Sequence, residues 1–141
     1  MAEAASVQAS PADEMITVFK SEDDFPALAP YPPFAEADVL AGNPNGHLGK
    51  VLYRDPSRRF SIGIWECPPG KFIDRATGTE LSHVLQGSAT LSHEGTGEAK
   101  RIEAGDHFYC VYGETIIWEV HETFKKVYVV YEHDWNDERF Y

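Results

Sequence analysis

The sequence predicts an all-β fold, a double-sheet roll of about nine or ten short strands, and three observations carry that prediction. Beyond Gly49 the chain breaks into β-prone runs separated by turn residues, at the spacing of about 8–12 residues expected of a sandwich or barrel. No stretch holds a sustained i, i+3, i+4, i+7 apolar repeat, so no helix has a face to bury. Aromatic residues are plentiful, three Trp, seven Tyr and eight Phe, and broad rings pack well on a pleated surface.

In chain order, the first dozen or so residues are Ala, Ser, Gln and acid without periodicity and read as a loosely held arm. Met15 to Phe19 is short and apolar and reads as a strand candidate. ALAPYPPFAEADVLAGNPNG is too rich in Pro, Gly and Asn for regular structure. It reads as an ordered loop, because Phe25, Leu28, Tyr31 and Phe34 need something to cover. The strand runs follow: KVLY, FSIGIWE, KFID, ELSHVLQ, SATLSH, AKRIEA, HFYCV, TIIWEV and FKKVYVVYEH. DPSR, CPPG, ATGT, EGTGE, AGD and YGE supply turns between them. Only Ala35–Leu40 and the acidic tail have any helical character. The boundaries follow: an arm and Pro-rich loop packing on the barrel over residues 1–48, one β domain over 49–134, and a tail over 135–141. Closing the strands into a roll disposes of exposed edges, and 141 residues bury a core without disulfides or a structural metal.

The formal charge of −11 and the scattered distribution of twelve Lys and Arg leave no basic stripe for phosphates, which argues against nucleic acid as a partner. No apolar run reaches the roughly 18 residues of a membrane span, and the N-terminus has acidic residues where a leader has basic ones. The expected setting is therefore the cytoplasm, with no membrane partner. Cys67 and Cys110 have no CxxC spacing and no neighbouring base, and read as two small buried thiols in a reducing compartment.

Two stretches combine motifs at a telling spacing. In GKFIDRATGTELSHVLQG, Gly70 opens, Glu80 takes an acidic position and Gly87 closes; in GDHFYCVYGETIIWEV, Gly105-Asp106 makes a turn and Gly113 the next corner. With WECPPGKF before and KKVYVV after, they resemble the paired motifs of the cupin superfamily. The resemblance, over about Val51 to Tyr131, is to the branch related to (S)-ureidoglycine aminohydrolase and ethanolamine-utilization protein Q. It implies a single-domain cupin (RmlC-like) jelly-roll β-barrel with an N-terminal arm.

A metal-using cupin carries His-x-His, then Glu a few residues later, then a third His. These neutral imidazoles and one carboxylate leave open positions on a divalent Fe, Mn, Ni or Zn ion. In this chain the first two places fall among Ile73, Asp74, Arg75 and Ala76, and the third on Ile116; Glu80 alone is kept. The reading is of no metal cofactor, although Glu80, Asp74 and a histidine from elsewhere could assemble a substitute. His83 follows Glu80 by three residues and belongs on the opposite sheet face, His107 and His121 lie at strand ends, and His47, His93 and His133 lie in loops or beyond the frame.

Strand alternation then furnishes the candidate site. If Ile116 points inward, so do Trp118 and Val120, while Ile117 and Glu119 face away. Lys126 and Tyr128 share a face on the returning strand, and Lys125 is the exposed neighbour. A buried Glu80 needs a partner, Lys126 or Arg75, and is the candidate acid or base. Asp74, Arg75, Trp118, Lys126 and Tyr128 are the candidate ligand-binding residues, with packed core as the alternative for the two aromatics. The favoured function is binding of a small polar or aromatic molecule in a barrel with a degraded metal site. The alternatives are a metal-dependent small-molecule enzyme of aminohydrolase, lyase or isomerase type, and an accessory or regulatory protein of a catabolic pathway. Both faces of FKKVYVVYEH look apolar, which predicts a homodimer.

Overall fold

The computed structural model describes residues 16–133. Nine strands account for most of them: β1 (Ala29–Pro30), β2 (Val39–Gly42), β3 (Leu48–Arg54), β4 (Phe60–Cys67), β5 (Gly70–Arg75), β6 (Gly78–His93), β7 (Ala99–Glu103), β8 (His107–Cys110) and β9 (Thr115–Glu132). All pairings are antiparallel. The all-β expectation holds, and among the described residues helix is confined to three single 3₁₀ turns, one of them at Glu36–Asp38 within the weak helical candidate. No helix of the described residues is long and apolar enough to cross a membrane.

The strands form one hydrogen-bonded sheet folded over on itself, and two of them hold both halves. The first part of β9 pairs with β5 and with the end of β6; its second part pairs with β4 and with the start of β6. The expected separate strands ELSHVLQ and SATLSH are thus one strand, and so are TIIWEV and FKKVYVVYEH. Gly87, the residue that closes the first motif, is a corner inside β6. Its φ is +80°, and a Cβ there would lie 2.1 Å from the Thr123 carbonyl oxygen, so glycine lets the two long strands bend together.

The Pro-rich segment departs from the loop expectation: β1 adds to the edge of β3 and β2 to the edge of β5. Its aromatics reach the core, with Tyr31 and Phe34 against the buried cluster and Phe34 stacked on Phe72 at 4.3 Å. Further upstream, Ile16 to Phe19 form no strand, and Ile16 and Val18 are exposed, since no sheet edge is paired with them. Met15 and the tail from 134 onward lie outside the described residues.

Between the two halves sits an aromatic core. Trp118, from the first half, is stacked on Phe72 and meets Trp65, Phe108 and Phe124 edge-on, with centroids 5.3–5.9 Å away. The other sheet face is different in kind. Cross-strand register lines up Tyr109, Leu81, Val129, Ile62 and Tyr53 across five strands, and Tyr109 and Leu81 are 70% and 54% exposed.

Candidate functional site

Alternation in β9 sends Ile116, Trp118 and Val120 inward, then Phe124, Lys126, Tyr128 and Val130, as the sequence reading required. Register brings Asp74 of β5 opposite Ile116, Glu80 of β6 opposite both Val130 and Cys110, and Ser82 opposite Tyr128. These residues surround a cavity of about 70 Å³ at the end of the barrel where the turn between β5 and β6 lies. Asp74, Glu80, Cys110, Trp118 and Lys126 are among the residues lining it, and Thr77, Gly78 and Glu132 add polar groups from the strand ends.

Lys126 is 7% exposed, and its ammonium contacts the Glu80 carboxylate directly. Ser82 donates a second hydrogen bond to Glu80, at 3.1 Å. The ammonium also lies 5.2–5.8 Å from the ring centroids of Trp65, Phe108, Trp118 and Tyr128, a four-sided cage whose π faces stabilise the cation where water is scarce. Of the two partners weighed for Glu80, the structure selects Lys126.

Arg75 requires a correction. It follows Asp74 directly on β5, so alternation turns it out of the barrel; it pairs with Asp38 at 2.5 Å and its side chain is more than half exposed. It takes no part in the cavity. Tyr128 belongs to the lysine's cage and does not line the cavity: its hydroxyl lies 2.8 Å from that of Tyr31, and its ring passes so close to Gly63 that a Cβ there would sit 2.3 Å from the phenolic oxygen. Burial pushes the pKa of the Tyr128 phenol well above its ordinary value, so it stays neutral.

Asp74 is a strongly perturbed carboxyl of the cavity. Burial pushes its carboxyl up to about 6, the Glu80 charge adds to the rise, and Lys126 and the Trp118 indole oppose it. The indole is turned toward Asp74, yet Nε1 of Trp118, on a residue only 2% exposed, makes no hydrogen bond of normal geometry. Burial also raises the Cys110 thiol to about 11 and the Cys67 thiol to about 12, so neither is a ready nucleophile.

The residues present do not fit a transition metal. Among the described residues no three His, Cys, Asp or Glu side chains are grouped as ligands could be, Ile116 stands beside Asp74, and Lys126 already supplies the cation that Glu80 contacts. Among the histidines, His83 does face away from Glu80, its Nδ1 2.9 Å from that of His107. His47 does lie in a loop but is only 4% exposed: Trp65 donates to its Nδ1 at 2.9 Å, and its Nε2 donates to the Pro32 carbonyl at 2.9 Å. That structural role had no sequence signal, because the Pro-rich segment has no period. Glu132 was also missed, although its even spacing from Lys126, Tyr128 and Val130 was signal enough.

Comparison with known proteins agrees with this architecture. The family described as the EutQ-like cupin domain matches residues 54–128. Among solved structures, a putative ethanolamine utilization protein Q from Salmonella typhimurium is 21% identical, with a TM-score of 0.54 over 61% of this chain and 69% of that one. The Clostridium difficile EutQ protein is 19% identical, with a TM-score of 0.54 over 72% and 81%. A Pseudomonas syringae protein of unknown function is 21% identical, with a TM-score of 0.64 over 74% and 44%. At these identities the likeness establishes the fold alone, and no curated protein matches. A match over residues 54–128, more than half of the chain, makes this protein a member of the EutQ-like cupin family.

Proposed function

We propose that this protein binds a small polar or aromatic molecule in the cavity of a cupin barrel whose metal site has been lost. The supporting observation is the neighbourhood of Asp74: a carboxyl that burial pushes up to about 6, with the Trp118 indole turned toward it, in a cavity that reaches the barrel end. A molecule bound in that cavity is a natural partner for the Asp74 carboxyl. Glu80 serves as a fixed charge held by Lys126, while Asp74 is the group able to exchange a proton near neutral pH. That property also supports a second reading, acid–base chemistry on the bound molecule of hydrolase, lyase or isomerase type, with Asp74 as the acid or base. A thermal-shift screen of small polar and aromatic compounds tests the first reading, with hits expected to lose their effect in Asp74→Asn. Turnover of a hit, lost in the same variant, tests the second.

We further propose that a second copy of the chain covers the apolar row from Tyr109 to Tyr53. Such a row is self-compatible, and a two-fold contact buries it on both copies at once. Sedimentation should show a dimer that Leu81→Asp converts to monomer; a monomeric wild type at micromolar concentration would refute it.

A further inference from the structure

The outer face of the sheet carries a pair of histidines that neither the cavity nor the core uses. His83 of β6 and His107 of β8 are direct cross-strand partners. His83 stands an odd number of residues from Glu80, so the pair lies on the face turned away from the barrel interior. The two Nδ1 atoms are 2.9 Å apart and the ring centroids 4.5 Å apart, with the ring planes tilted by 36°. Backbone hydrogen bonds continue just past the pair: the Val84 N–H donates to the Asp106 carbonyl and the Gly105 N–H to the Val84 carbonyl, both at 2.9 Å. Nδ1 is the ring nitrogen nearer the main chain, so a fixed backbone also restricts where these two nitrogens can go. His107 is exposed and His83 partly so, which leaves the pair open to solvent.

Two imidazole nitrogens this close share either a proton or an ion, since two facing lone pairs repel. When two nitrogens bind one ion at about 2.0–2.1 Å, a right-angle bite sets them about 2.9 Å apart and a tetrahedral bite about 3.3–3.4 Å. The separation of 2.9 Å between His83 and His107 is the right-angle value. Tetragonal coordination by nitrogen and oxygen is the preference of Cu(II) and Ni(II), and Cu(II) has the highest affinity among the first-row divalent ions. The formal charge of −11 favours the approach of a cation. We propose that His83 and His107 form a two-histidine chelate for Cu(II) on the outer face of the sheet, both rings ligating through Nδ1. Among the described residues no third His, Cys, Asp or Glu joins them, so water takes the remaining positions. The site is separate from the barrel cavity and complete within one chain.

The test titrates the purified, untagged full chain with Cu(II), Ni(II) and Zn(II) at neutral pH, by calorimetry and by electron paramagnetic resonance of the copper form. One Cu(II) per chain is expected, with a tetragonal spectrum split by two imidazole nitrogens, and with Ni(II) and Zn(II) at least about tenfold weaker. His83→Gln and His107→Gln should each weaken Cu(II) by at least about tenfold, because a chelate loses its bite when either arm is removed. His121→Gln, at another surface histidine, and Glu80→Ala, in the cavity, should leave the affinity as it is. The nitrogen splitting of the wild type reads the ligand set without any variant. Zn(II) binding as tightly as Cu(II) would overturn the right-angle reading. Copper affinity unchanged in both His83→Gln and His107→Gln, copper lost in Glu80→Ala, one ion per two chains, or no uptake at all would each overturn the site.

Discussion

The Lys126 ammonium and the Glu80 carboxylate meet inside the barrel under four aromatic rings, so each is the other's principal counter-charge. Glu80→Ala leaves a caged ammonium without its anion and should cost about 2–4 kcal/mol, less than for a wholly buried pair because the Glu80 side chain is partly exposed. Glu80→Gln should cost less, and the double variant Glu80→Leu/Lys126→Met should recover most of the loss. Urea melts check this; a double variant no more stable than Glu80→Ala would show that the pair is not the source of the effect.

Two groups pull the pH dependence of stability in opposite directions. Asp74 titrates near 6 in the folded protein and at its ordinary 3.8 when unfolded, so between these values the folded state holds the extra proton and stability falls as pH rises. His47, lowered by burial, loses stability in the other direction, as pH falls through its ordinary 6.5 and the unfolded chain takes up a proton first. Asp74→Asn should therefore raise stability at pH 7, by at most about 3 kcal/mol, and leave a profile that declines toward acid. His47→Gln should flatten that decline. Melts from pH 4.5 to 7.5 measure both, and an Asp74→Asn variant less stable than wild type at pH 7 would contradict the assignment.

Addition of Mn, Fe, Ni or Zn at modest excess is expected to leave the melting temperature unchanged. A rise of several degrees in wild type, absent in Glu80→Ala, would mean that the cavity assembles a metal site despite Ile116.

Gly87→Ala forces a side chain into a left-handed backbone and onto the Thr123 carbonyl, and should cost about 2 kcal/mol or more. Alanine at Gly97, which is also left-handed but has open space around it, should cost less in the same melts.

What the sequence made legible was whatever alternation governs. The inward set Ile116, Trp118 and Val120 and the shared face of Lys126 and Tyr128 follow from period two, once the strand is placed. Arg75 was misplaced for the complementary reason: the motif left a four-residue window, and without a fixed register Asp74 and Arg75 are equally good inward candidates, though only one parity is right. The plugging of the barrel by Tyr31, Phe34 and His47 depends on tertiary contacts of an aperiodic segment, and no local rule encodes it. The acidity of Asp74 likewise belongs to its surroundings, which join Glu80 of the next strand with Trp118 and Lys126 of β9, more than 40 residues away.

Because β6 and β9 run without interruption from one half of the roll into the other, neither half can detach while the other stays closed. Opening at one end must propagate along a ladder whose two members each belong to both. The amide protons of this pair should then exchange with solvent only on global unfolding, at one common rate-limiting free energy, while those of β1, β2, β7 and β8, each hydrogen-bonded along one side only, escape earlier by local fraying. Glu80, Trp118 and Lys126 are thus carried by the slowest-opening part of the molecule, while Phe108 and Cys110 close the cavity from a strand that opens sooner.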